Sequence, residues 1–135
     1  FYITTSLFDT QPQTAANYGI FFIARHPCEV LFISEVHGTA GTDAMPVTLQ
    51  IEKLTGTTAK GSGVDLLITP FSLKITANTV QTREKEQLTG ATGGIRALQL
   101  NQGDRLAIKS SGTLTAIKDL QITIYCKFLG RGDYF

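Results

Sequence analysis

His26, His37, Cys28 and Cys126 are the side chains in this chain best suited to metal binding or proton transfer. A zinc site needs nitrogen and thiolate donors that converge, and neither an H-x-x-x-H nor a paired-cysteine spacing occurs. His26, Cys28 and Glu29 are close in sequence, but neighbours along a strand alternate faces and do not readily meet at one point. No metal or cofactor is therefore expected. For nucleophilic catalysis there is no G-x-S-x-G elbow and no S-x-x-K pair. Asp65, Asp104 and Asp119 stand singly near strand starts, where Asp satisfies turn amides. The stretch Lys60-Gly61-Ser62-Gly63 lacks the Gly-Lys-Ser/Thr order of a phosphate loop and reads as a flexible turn. Arg131-Gly132-Asp133 spells the integrin-binding tripeptide, yet Gly130 and Gly132 read better as an exit from the last strand. No catalytic residue is expected, and the chain is not expected to be an enzyme.

The elements that would carry these residues are strands. Hydrophobic residues make up 42% of the 135, and charged residues only 17%, against a typical share of about 25%. Thr, Gly, Gln, Asn and Ser fill the difference, a surface chemistry common in β-rich assemblies. A net charge of +1 supplies no field for nucleic acid or for an anionic membrane. The longest apolar run, Ile20 to Ala24, is too short to span a bilayer. No basic n-region followed by an apolar h-region is visible at the start, so a signal peptide is not expected within these residues. The first residue is Phe, so processing or a preceding segment is expected.

Residues 1–17 read as an extended arm, with Phe1, Tyr2, Leu7 and Phe8 in need of cover. Tyr18 to Arg25 and Cys28 to His37 are apolar on both faces, which calls for cover on both faces. A neighbouring subunit is the expected source of the second cover. Val47 to Leu54 alternates, with Val47, Leu49 and Ile51 inward and Thr48, Gln50 and Glu52 outward, as in a half-solvated strand. Leu120, Ile122, Ile124, Cys126 and Phe128 share one apolar face, and Cys28 shares parity with Val30 and Phe32. The two cysteines are either reduced core side chains or a disulfide joining an early strand to the last. Turn signals recur every ~8–12 residues, the spacing of a sandwich or jelly roll. The expected architecture is all-β: an antiparallel jelly-roll sandwich of about eight strands, with the arm at 1–17, the domain at 18–129 and a tail at 130–135.

Three stretches carry a resemblance: Val36 to Leu67, with its TGTTAKGSG turn; Phe71 to Gln81, with TANTVQ; and Leu100 to Tyr125, with the GDRL hairpin. Together they resemble small structural proteins of tailed bacteriophages and prophages, over roughly residues 18–128. The resemblance implies a virion protein assembled in the host cytoplasm, most simply a capsid decoration (cement) protein bound to the outer face of the shell. Its partners would be itself, as a homotrimer, and the major capsid protein or another virion protein. The competing readings are a tail or head fibre domain that touches a receptor, and a C1q/TNF-like module recognising carbohydrate or protein. The absence of Trp and an aromatic share of 9% weigh against a lectin. Candidate contact residues are Phe1, Tyr2, Leu7, Phe8, Phe21, Ile23, Leu31, Ile33, Tyr134 and Phe135.

Overall fold

The structure, a computed structural model, describes residues 1–7, 19–88 and 94–130. Within them run ten strands: β1 (Tyr2–Leu7), β2 (Ile20–Ile23), β3 (Cys28–Val36), β4 (Thr48–Leu54), β5 (Val64–Asp65), β6 (Phe71–Ser72), β7 (Gln81–Glu84), β8 (Gln99–Leu100), β9 (Arg105–Ser111) and β10 (Leu120–Phe128). Two short 3-10 turns, Lys85–Gln87 and Ile95–Leu98, lie between β7 and β8. One sheet has the order β1-β10-β3-β7, with β8 also on β3; the other has β2-β9-β4-β5, with β6 also on β4. All pairings are antiparallel. The chain is thus an all-β, two-sheet sandwich, as the turn spacing led us to expect.

The core lies between the sheets. From β10 it takes Leu120, Ile122, Ile124 and Cys126, and from β4 Leu49 and Ile51, with Val47 just before the strand. Both sets follow the period-2 alternation of a strand. The strand β3 does not keep that period. Tyr125 pairs with Phe32 but Cys126 pairs with Val30, so Leu31 is an extra residue in β3. This bulge switches the face on which later residues lie. Cys28 and Val30 face the core before it, and Ile33 and Glu35 face the core after it. A second bulge occurs in β2: Ile20 pairs with Ala107 and Phe22 with Leu106, leaving Phe21 as the extra residue.

These two bulges correct the expectation drawn from the doubly apolar pattern. Both faces look apolar in sequence because the chain changes face partway along, inside its own sandwich. Ile33, expected at a partner contact, is fully buried opposite Ile124. Leu31 is half-buried at the bulge itself, and Phe21 packs against the core from β2. The strand β3 therefore no longer argues for a neighbouring subunit, whereas Ile20 and Ile23 of β2 stay exposed. The arm is corrected for part of its length. Residues Tyr2–Leu7 form six pairs with β10 without a register break, so they are an edge strand of the sandwich. Of their apolar side chains Ile3 turns inward and joins the core, whereas Tyr2 stays exposed.

The outward side of β4 is also not solvated. Gln50 and Glu52 are buried beneath the segment that leaves β4 and returns through β5. Gln50 Nε2 donates to the Leu67 carbonyl, and the Leu67 N–H donates to Gln50 Oε1, both at 2.9 Å. One amide side chain thus stands in for a ladder pair between β5 and β6, where the backbone has left the sheet. Glu52 accepts hydrogen bonds from the N–H groups of Gly61 and Gly63. Gly63 is required there, because a Cβ would collide with the Lys53 carbonyl on β4.

Candidate interaction surface

Chemistry-bearing side chains that the sequence singled out are mostly sealed inside. His37 is buried, with Nδ1 3.0 Å from Glu35 Oε2 and Nε2 3.2 Å from the Ile75 carbonyl. Glu35 in turn accepts from Gln81 Nε2. Both imidazole nitrogens are engaged by protein, so His37 holds β3 to the loop before β7 and presents nothing to solvent. Cys28 and Cys126 are free, buried thiols in contact across the β3–β10 pair. The hydrogen bond to Cys28 and burial push the Cys126 thiol up, which leaves it unreactive. Among the described residues no group of three His, Cys, Asp or Glu could hold a metal ion. A groove of about 640 Å³ is lined by Lys53, Arg96, Gln99 and Asn101. Its ammonium is committed, because Lys53 Nζ donates to the carbonyls of Arg96 and Gln99.

Several exposed apolar side chains gather on one side, apart from Met45, Ile68 and Val80, which lie in other loops. The strands β1 and β2 are the outer strands of the two sheets, and Phe1 packs near Phe22 with ring centroids 6.4 Å apart. The two edges therefore bound the same side of the sandwich, which is open among the described residues. Phe1 also stacks on Phe128 at 4.4 Å, and His26 meets the edge of the Phe128 ring. These side chains, with Ile23 and Arg25, line a pocket of about 230 Å³. Exposure along this side is high for apolar groups: Tyr2 63%, Ile23 60%, Ile20 48%, Phe128 41% and Phe1 36%. Contiguous apolar patches of more than a few hundred Å² mark interaction sites on soluble domains.

The edge of β1 adds hydrogen-bonding groups to that patch. Phe1 N donates to the Cys126 carbonyl and Cys126 N donates to the Phe1 carbonyl, both at 2.8 Å. Phe1 and Cys126 are therefore a hydrogen-bonded pair, and alternation makes Ile3, Thr5 and Leu7 the next ones. The backbone groups of Tyr2, Thr4 and Ser6 then point away from β10, toward the open edge. On the outer face of the same sheet Tyr2, Tyr125 and Phe32 lie in one cross-strand row. Tyr125 stacks on Phe32 at 5.2 Å and 20°, while Tyr2 tilts over Tyr125 at 4.8 Å. Stacked rings stand on edge, so the row stabilises the sheet and offers little flat surface to a sugar.

Of the candidate contact residues, the structure brings Phe1, Tyr2 and Ile23 to this side. Phe21 is half-buried beside it, Leu31 lies at the bulge, and Ile33 is in the core. Leu7 ends β1. Phe8, Tyr134, Phe135 and the Arg131-Gly132-Asp133 stretch lie outside the described residues. Ile20, Phe22 and Phe128 were missed by sequence reading. Phe128 shares the parity of Cys126 and looks like a core residue, but it sits where β10 runs past the end of the sandwich. Among the described residues no helix is long and apolar enough to cross a membrane. No family model, curated protein or solved structure matches this chain.

Proposed function

We propose that this chain is a structural protein of a tailed-phage virion, a decoration protein that binds the outer face of the shell and stabilises it. The observation that carries the reading is the open side of the sandwich. There an uncharged strand edge and a patch of exposed aromatic and aliphatic side chains adjoin one another. Such a surface suits permanent coat contacts made by shape and apolar burial. Buried polar groups are internally satisfied: none of the described buried side-chain atoms lacks a hydrogen-bond partner. That is the economy of a scaffold and not of a catalytic cleft. The resemblance of the TGTTAKGSG, TANTVQ and GDRL stretches to phage structural proteins supplies the setting.

We read the strand order as that of a jelly roll. In support, β1 to β4 alternate between the sheets, and β9 and β10 each lie next to the first strand of their sheet. The test adds purified protein to shells that lack it. Saturable binding and a rise in the temperature at which shells rupture are expected. Shells that neither bind the protein nor gain heat stability would overturn the role.

A further inference from the structure

We infer that the β1–β2 side is a seam between two copies of this chain, with β1 pairing antiparallel to β1 of the second copy about a twofold axis at Thr4. The inference deepens the reading above, which rests on the same side, by committing that side to a second copy of the chain, and it is argued from the geometry of the edge.

Sheet edges in soluble proteins are protected by short strands, charge, proline, bulges or cover. The other outer strands here follow that rule. The strands β5, β6 and β8 are two residues each, β7 carries Arg83 and Glu84, and β2 is four residues long with a bulge at Phe21. The strand β1 has none of these devices. It is six residues, YITTSL, without charge, proline or break in register. Among the described residues no strand pairs with its outer edge.

Its own sequence fits that edge. The outward-pointing backbone groups belong to Tyr2, Thr4 and Ser6, as the Phe1–Cys126 pair requires. Placing Thr4 opposite Thr4 sets Tyr2 opposite Ser6, so every facing residue in the new pair has free backbone groups to exchange. The same register sets Ile3 opposite Thr5, and residues from one face of the sheet meet residues from that face. A register one residue away would oppose the two faces and fail. An isologous contact of this kind is self-complementary and closes at two copies. Neither strand brings charge to it, so like copies meet without repulsion.

The area is adequate. The exposed parts of Phe1, Tyr2, Ile20, Ile23 and Phe128 amount to several hundred Å². With the paired edge they approach the roughly 800 Å² per partner of a stable interface. Because β2 bounds the same side as β1, Ile20 and Ile23 flank the joined edges and are covered with them.

The test measures the mass of the full chain by sedimentation across micromolar concentrations, for the wild type and two variants. Thr4→Pro deletes an outward N–H and no bond to β10, so it blocks the edge and spares the ladder. Ile23→Glu puts a charge on the exposed flank from the other sheet. The wild type is expected to be a dimer, with protected amides at Tyr2, Thr4 and Ser6 in hydrogen exchange. Each variant is expected to weaken dimerisation by roughly tenfold or more, while the melting of the separated subunit stays cooperative. A wild-type monomer, as would result if residues 8–18 of the same chain fill the edge, overturns the seam. So does a trimer, or a dimer that neither variant weakens. The virion role is judged separately, on shells: a monomer that still stabilises them overturns the seam and leaves the role.

Discussion

At Gln50 one side chain replaces two backbone partners. Substitution by Leu keeps the volume and strands the Leu67 N–H and carbonyl in a dry site. A loss of about 2–4 kcal/mol is expected from urea unfolding, since each unsatisfied buried group costs about 1–3 kcal/mol. Glu29 behaves differently. Its carboxyl sits between Lys85 and Lys127 on the outer face of β3, and the hydrogen bond from Lys85 holds it below the usual carboxylate range. A lowered folded-state pKa adds stability above the unfolded value, and that stability is lost as pH falls through the folded one. Unfolding free energy should therefore decline below the ordinary carboxylate range, and Glu29→Gln should remove that part of the decline. At neutral pH the variant should lose about 1 kcal/mol or less, because both lysines are half in water. A loss at pH 7 as large as that of Gln50→Leu would show that the pair is not solvent-screened.

Strand faces are decided by bulges, and the clearest test is the bulge in β3. Deleting Leu31 restores an unbroken ladder with β10. It also places Cys28, Val30, Ile33 and Glu35 at every second position of one continuous strand, so all four still face the core. Cooperative unfolding is therefore expected to survive the deletion when measured by calorimetry. By contrast, Leu31→Ala keeps the bulge and should cost about 1–2 kcal/mol, as for a half-buried side chain. A deletion variant that loses cooperative unfolding would mean that Leu31 is not simply an extra residue in the ladder. The alternation of β10 was legible from Leu120 to Cys126, because nothing interrupts its pairing with β1. That of β4 was legible for Val47, Leu49 and Ile51 only. Gln50 and Glu52 are polar for a reason other than solvent, since the covering segment needs partners for its own backbone.

Across the whole molecule the two sheets are held by packing, without a covalent link between them. Cys28 and Cys126 lie on neighbouring strands of one sheet, β3 and β10. A bond there would tie strands already joined by the ladder. The melting temperature is expected to be unchanged by reductant, within the few degrees that correspond to about 1 kcal/mol in a domain of this size. A fall of more than about 10 °C would indicate a disulfide that carries part of the stability.

By itself the sequence determined the class: low charge, frequent turn signals and period-2 runs leave a two-sheet β sandwich as the packing solution. It also determined which strands bury one face, wherever pairing runs unbroken. Only the tertiary structure decided where the chain changes face. A bulge at Phe21 or Leu31 adds one residue to one strand, and its signature exists only relative to the partner strand. The fate of β1 was decided the same way. YITTSL has the composition of an exposed arm and of an edge strand alike. Its pairing with β10, over a hundred residues later in the chain, is a long-range contact that no local pattern encodes.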